Sequence, residues 1–484
     1  MKQECKLIAI MVGAALLGGC NNSSDSGKDL TPPITPSITS NSHAFVALLP
    51  NGNIEAWGDP VYGGDPACDD PFCTAAEKPL TGIIEITATS KAFAAVKRDG
   101  SVIAWGSWAY GADLSEVESK LHNVASISAT FAYNGGAFAA LKQDGSVTVW
   151  GDDNWGGNAS GKTLTNIKAI TSSSSDAGGA FAAIKNDGSV VTWGNITYGG
   201  DSGSVAADLN DVESITSTHG AFAALKKDGS VVTWGDQSYG GDSSSVHGDL
   251  INIVKITANS QAFAALSQDG SIVAWGNEDF GGNPNCTSMF CTAASSPLVD
   301  INAITSNGNS YGGAFAAIKK DGTVISWGNE LNGGDASSIQ GELTHVVSIA
   351  ATNTAFAAVK QDGSVVTWGD PATGGDPTCN NASGINDCSP ASGELNRVAS
   401  IVGNVKAFAA IKLDGSVVSW GAADGGGNPD CSNSQESDQC VQPSSTLSEI
   451  IGITPSLGLR GAFAAIKKDN TILAWGNEDS AGKR

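Results

Sequence analysis

Ten cysteines are the residues of this sequence with the widest choice of chemistry, and their spacing narrows it. Eight fall into four close pairs: Cys68/Cys73, Cys286/Cys291, Cys379/Cys388 and Cys431/Cys440. Each pair sits inside one stretch rich in Asp, Asn, Pro and Ser. A structural zinc wants clustered thiolates, usually in CxxC motifs, and none of the pairs has that spacing. In an oxidising compartment each pair is expected to close on itself as a local disulfide. Closing so short a loop contributes about 2–3 kcal/mol, so the bonds should stiffen loops rather than hold the fold together.

Carboxylates crowd the same stretches: Asp65, Asp69, Asp70, Asp201, Asp208, Asp242, Asp249, Asp335, Asp376 and Asp430. Oxygen ligands of this kind can hold calcium, but the spacing matches neither an EF-hand nor a nonapeptide calcium repeat. Asp in a Gly-rich turn more readily caps the local backbone. No cofactor is expected, and calcium is the one metal the residues bring into question. Gly200-Asp201-Ser202-Gly203 looks like the surroundings of a serine nucleophile. The same run recurs as Gly241-Asp242-Ser243-Ser244, so it belongs to a repeat. The five histidines occupy unlike positions, which leaves a Ser-His-Asp site without its base. The glycines follow the repeat rather than a strand-to-helix junction, which excludes a phosphate loop. No catalytic residue is expected, and a hydrolytic enzyme is the weaker alternative.

What positions these residues is a unit of the form AFAAxKxDGSVxxWG, present ten times from about residue 43. Its landmarks are Trp57, Trp105, Trp150, Trp193, Trp234, Trp275, Trp327, Trp368, Trp420 and Trp475. A period of roughly 40–55 residues points to a propeller, a solenoid or an array. In the fifth unit, Val212 to Thr216 reads as a first strand, Ala221 to Lys226 as a second and Ser230 to Trp234 as a third. Asp228-Gly229 reads as a two-residue turn with both residues at positive φ, which sets Trp234 opposite Ala223, Val232 opposite Leu225 and Phe222 opposite Gly235. Both faces of such a hairpin are apolar, so both must be covered, and stacked blades do that.

The run AL-x3-G-x-V-x-x-W-G followed by aromatic-Gly-Gly resembles the repeat of the regulator of chromosome condensation (RCC1) superfamily, in its bacterial short-blade form. The resemblance covers about 43–484 and implies a β-propeller. The fold expected is all-β, a ring of about ten three-stranded RCC1-like blades, with an open superhelical array as the alternative. The sequence departs from the family in lacking the usual His before the second strand and in having GGD or GGN for GQLG. Seven blades are also the family's usual number. Nucleotide exchange is not carried over.

Residues 1–19 have Lys2 and Lys6 before an apolar run, Leu7 to Leu17, too short to span a bilayer. Leu17-Gly18-Gly19-Cys20 resembles a bacterial lipobox, which implies cleavage before Cys20 and lipid attachment there. Asn21 in place of Asp favours the outer membrane by that resemblance. Residues 20–42, rich in Ser, Thr, Pro and Asn, read as a flexible tether, and 43–484 as the repeats. The net charge is −23, and removing Lys2, Lys6 and Glu4 leaves −24. A polyanion is repelled by nucleic acid.

All variation in repeat length falls in two loops per unit, at the end opposite the Asp-Gly turn. A rigid scaffold presenting variable loops is a binding surface. The loops singled out are 65–73, 172–179, 284–291, 307–313 (with Tyr311) and 377–388. The expected function is a monomeric envelope lipoprotein that binds an envelope or extracellular protein, or a glycan, there. A passive structural or adhesive protein is the alternative.

Overall fold

The structure, a computed structural model, describes residues 34–76, 79–379, 388–431 and 440–481. Cys20, with all of 1–33, lies outside the described residues. Each of the ten repeats folds as an antiparallel three-stranded meander. In the fifth, the strands are Val212–Ser217, Ala221–Lys226 and Val231–Gly235.

The hairpin register differs by one residue from the expected one. Phe222 lies opposite Trp234, Ala224 opposite Val232, and Ala221 opposite Gly235. The turn has three residues, not two. Lys226 N–H donates to the Ser230 carbonyl at 2.9 Å, and Gly229 N–H donates back to the Lys226 carbonyl at 2.9 Å. Gly229 alone takes a left-handed φ, of 80°. Asp228 instead accepts from the Ser230 N–H at 2.9 Å and its hydroxyl at 2.6 Å. A turn closed by a left-handed glycine is the usual form of a three-residue hairpin loop.

The one-residue change redistributes the faces. Phe222, Ala224, Val232 and Trp234 share one; Ala221, Ala223, Leu225 and Val231 share the other. Phe222 and Trp234 stack with ring centroids 5.2 Å apart. The equivalent pair in every other repeat lies at 5.0–5.5 Å. Large residues therefore meet large ones within a hairpin, and small ones only across the blade interface. The Phe-Trp face of blade five packs on Ala180, Ala182 and Ile184 of blade four. Its Ala face receives Phe263 and Trp275 of blade six. Burying each such aromatic is worth about 2–3 kcal/mol.

The same contact closes the ring. Phe45 and Trp57 of blade one pack on Ala462, Ala464 and Ile472 of blade ten. The seam is hydrogen-bonded as well: Ser40 Oγ donates to the Pro455 carbonyl at 3.0 Å, and Thr454 Oγ1 to that of Ile38 at 3.5 Å. The C-terminal helix Glu478–Ala481 lies against the second and third strands of blade one. The array is a closed ten-bladed propeller and not an open superhelix. Ser37–Ser40, expected in the tether, is the first strand of blade one, because Ile38 is needed to complete that interface.

Among the described residues, six blades have three strands. Blades two, seven, nine and ten have a fourth, outermost strand of two residues: Cys73–Thr74, Cys291–Thr292, Cys388–Ser389 and Cys440–Val441. Each comes from the cysteine loop of the preceding repeat.

Candidate functional site

Strand direction puts two loops of each repeat at the tryptophan end: the one joining strands one and two, and the one after Trp-Gly. Two devices hold them. The polar residue ending strand one reaches to the residue before Gly-Gly in the same repeat. Thr218 Oγ1 donates to the Tyr239 carbonyl at 2.8 Å and accepts the Ala221 N–H at 3.0 Å. Asn41, Asn259, Asn307 and Asn404 do the same with their amides. In the second device, nine landmark tryptophans donate Nε1–H to a glycine carbonyl of the preceding repeat at 2.8–3.2 Å, as Trp234 does to Gly199.

The four cysteine pairs are disulfide-bonded, each within its own loop. Among the described residues, two of these loops project apolar side chains. Phe72 is 65% exposed, and Met289 and Phe290 are 85% and 61% exposed. The sequence carried a signal for them that had no reading: an aromatic stands directly before the second cysteine in both. The loop of Cys286–Cys291 is clamped from below. Thr287 Oγ1 donates to Glu278 at 2.9 Å and Ser288 Oγ to Asp279 at 2.6 Å. The Thr287 N–H also donates to Glu278 and is the chief cause of its lowered pKa. Glu278, Cys286 and Cys291 form the one group of three potential metal ligands among the described residues, and the disulfide consumes both sulfurs.

The candidate acidic residues are mostly backbone caps. The carboxylates of Asp65, Asp70, Asp201, Asp242, Asp335 and Asp376 accept the N–H two residues on at 2.8–2.9 Å. Asp69 and Asp430 are exposed in their loops. Asp208 and Asp249, expected at this end, precede a first strand instead. The segment leading into that strand docks on a hairpin turn, as Ile253 N–H does on the Gly229 carbonyl at 2.9 Å. Ser202 is buried, with its hydroxyl 3.2 Å from Thr192 Oγ1, and serves the repeat rather than chemistry.

Two of the selected loops are shorter than expected. Strands Ile167–Ser175 and Gly178–Lys185 absorb most of 172–179, and Ile301–Gly308 and Gly313–Lys319 shorten 307–313 to a tip. Tyr311 crowns that tip at 90% exposure. Most of loop 377–388 lies outside the described residues.

Lys91 lies over the rings of Tyr62, Tyr110 and Tyr133 at 4.7–5.3 Å and donates to the Tyr110 hydroxyl at 3.0 Å. Two other cations at this end are paired with carboxylates: Lys406 with Asp424 at 2.8 Å and Arg460 with Asp479 at 3.2 Å. The axial channel opens here as a cavity of about 430 Å³, lined by His219, Asn259, Ser306, Thr352, Asn404 and Ser456 among others. Enclosure lowers the pKa of His219, opposed by Asp176.

No family model and no curated protein matches the chain. Solved structures similar to it include the ectodomain of the Physcomitrella patens receptor kinase CR4. That comparison has 17% identity and a TM-score of 0.34, covering 62% of this chain and 74% of that one. Prp20p of Saccharomyces cerevisiae gives 16% identity and a TM-score of 0.33, covering 70% and 82%. The ectodomain of the Arabidopsis thaliana receptor kinase ACR4 gives 15% and 0.31, covering 62% and 95%. Likeness at this level carries no argument about function.

Proposed function

We propose that this chain is a bacterial envelope lipoprotein, anchored through Cys20 in the outer membrane, whose tryptophan end binds a protein partner. The observation that carries the binding reading is the pair of disulfide-closed loops holding Phe72, Met289 and Phe290 outward from a rigid ring. Exposed aromatics fixed before binding lose little freedom on docking and are the residue type that dominates interface energies. The acidic loops around them favour a partner with a basic surface. Short local disulfides fit an oxidising envelope.

The test is crosslinking and capture from intact envelopes with the native chain, with Phe72→Ala/Phe290→Ala and with Cys20→Ser. The double alanine variant is expected to lose the captured partner at least tenfold with its melting temperature unchanged. Undiminished capture sinks the binding surface. Failure of Cys20→Ser to release the protein into the soluble fraction sinks the anchor, independently of the first result.

A further inference from the structure

We propose that the outer edges of blades three and six each accept an extended, cationic polypeptide segment as a fourth strand. The molecule carries the precedent. In blade two, Thr74 pairs with Gly106, the glycine after the landmark tryptophan; in blade seven, Thr292 pairs with Gly328. Blades nine and ten pair the equivalent Gly421 and Gly476 with Ser389 and Val441. Those four glycines are buried, whereas Gly151 of blade three, Gly235 of blade five and Gly276 of blade six are exposed.

The edge groups at these two blades are donors and acceptors left over by the ladder. In blade three, Lys142 N–H donates to Ser146 and Asp152 N–H to Gly136, so Ser146, Thr148, Trp150 and Asp152 bond inward. Val147, Val149 and Gly151 therefore face outward, and Val147 N–H already donates to Leu164. Alternation in blade six turns Ile272, Ala274 and Gly276 outward in the same way, with Ile272 N–H on Leu298. Blades four, five and eight shield the middle outward position with a hydroxyl, and blade one has Ala56 there. Thr192 accepts the Ser202 N–H at 3.1 Å in blade four, and Thr233 meets Ser243 at 3.0 Å in blade five. Thr367 donates to the Gly375 carbonyl at 3.0 Å in blade eight. Val149 and Ala274 have no hydroxyl to offer.

Both edges form the floor of a groove, of about 1080 Å³ in blade three and about 1090 Å³ in blade six. The first runs the length of its strand, Val147–Gly151. A five-residue strand spans about 17 Å, so a segment of five or six extended residues fits along it. Asp113, Glu116, Asp152 and Asp153 line the first groove together with Lys120 and Lys162. Asp249, Asp269 and Glu278 line the second, with no Lys or Arg. Unpaired strand edges bind extended peptides through the main chain, and flanking charge selects the sequence.

The probe is a fluorescein-labelled octapeptide of alternating threonine and valine with a lysine at each end, titrated into the soluble Cys20→Ser protein. Saturable binding below about 1 mM is expected, with slowed amide exchange at Val149, Gly151, Ala274 and Gly276. Val149→Pro/Ala274→Pro removes one outward N–H per edge, where proline is tolerated, and should weaken binding at least tenfold. Val149→Thr/Ala159→Ser, which copies the Thr192–Ser202 bridge, should abolish the blade-three protection if the proline variant misfolds. No saturable binding, affinity unmoved by either variant, or protection confined to the tryptophan end overturns the proposal. Equal affinity for the same peptide ended with glutamates overturns its cationic part. Self-association that protects the same four amides overturns a foreign segment in favour of a second copy of the chain.

Discussion

Gly240→Ala probes the blade interface at a point of close approach. Gly240 has φ 87°, and an added Cβ would stand 2.8 Å from Phe263 Cδ2 and 3.0 Å from Cε2. The ring cannot retreat, because it stacks on Trp275 with centroids 5.0 Å apart. Trp275 is itself tied to the Gly240 carbonyl at 3.0 Å. Holding a residue with a Cβ in the left-handed region costs about 1–2 kcal/mol. Overpacking a filled core adds about 1–3 kcal/mol. Together the loss should be about 2–5 kcal/mol, read from urea unfolding followed by tryptophan fluorescence. Gly248→Ala is the control, since its added Cβ meets nothing within 4 Å beyond its own neighbours and helix backbone. It should be neutral or stabilising by less than about 1 kcal/mol. A Gly240→Ala protein within about 0.5 kcal/mol of wild type would refute the interface packing.

Asn404→Leu should destabilise by about 2–4 kcal/mol in the same assay, because it orphans the Gly425 carbonyl and the N–H groups of Lys406 and Ala407. Cys68→Ser/Cys73→Ser should cost about 2 kcal/mol while leaving the far-ultraviolet spectrum intact, and should open the loop to limited proteolysis. The Asp269 carboxyl is held down to about 2 by the Ser267 hydroxyl first, then by the Ser271 N–H and hydroxyl. A depressed carboxyl contributes stability above its ordinary value of 3.8 and loses it as pH falls through about 2. Its carboxyl carbon resonance should therefore titrate near 2, and melting temperature should hold above pH 4 and fall below it. Asp269→Asn should flatten that part of the acid limb.

The repeat, its strands and the pairing of the cysteines are legible in the sequence because each is local: a period, a Gly after Asp, two thiols in one loop. The register is not. Lys226 to Ser230 can close around two turn residues or three, and the choice rests on distant partners. Asn252 of the next repeat packs on Gly229, where a Cβ would meet its Cα at 2.8 Å. The fourth strands escape notice because two residues carry no period. Closure depends on Ile38, Ser40 and Thr454 meeting after ten blades, which no single repeat encodes. At the candidate site, the acidic residues are visible in the sequence, but their employment as caps is a matter of backbone direction. Phe72 and Phe290 look like ordinary core aromatics until the disulfides turn them outward.

The seam has a consequence for how the molecule is made. Thr454 and Ile38 are 416 residues apart. A ribosome adding about 5–20 residues each second needs about 20–80 s to cover that distance. Until blade ten is present, Phe45 and Trp57 have no Ala face to lean on, whereas every later blade finds its neighbour one repeat away. The newborn chain is thus sticky at its leading end until its trailing end arrives, and an unfinished copy offers those aromatics to the Ala face of any other. Protecting blade one while the chain is incomplete is the task this architecture leaves to the cell.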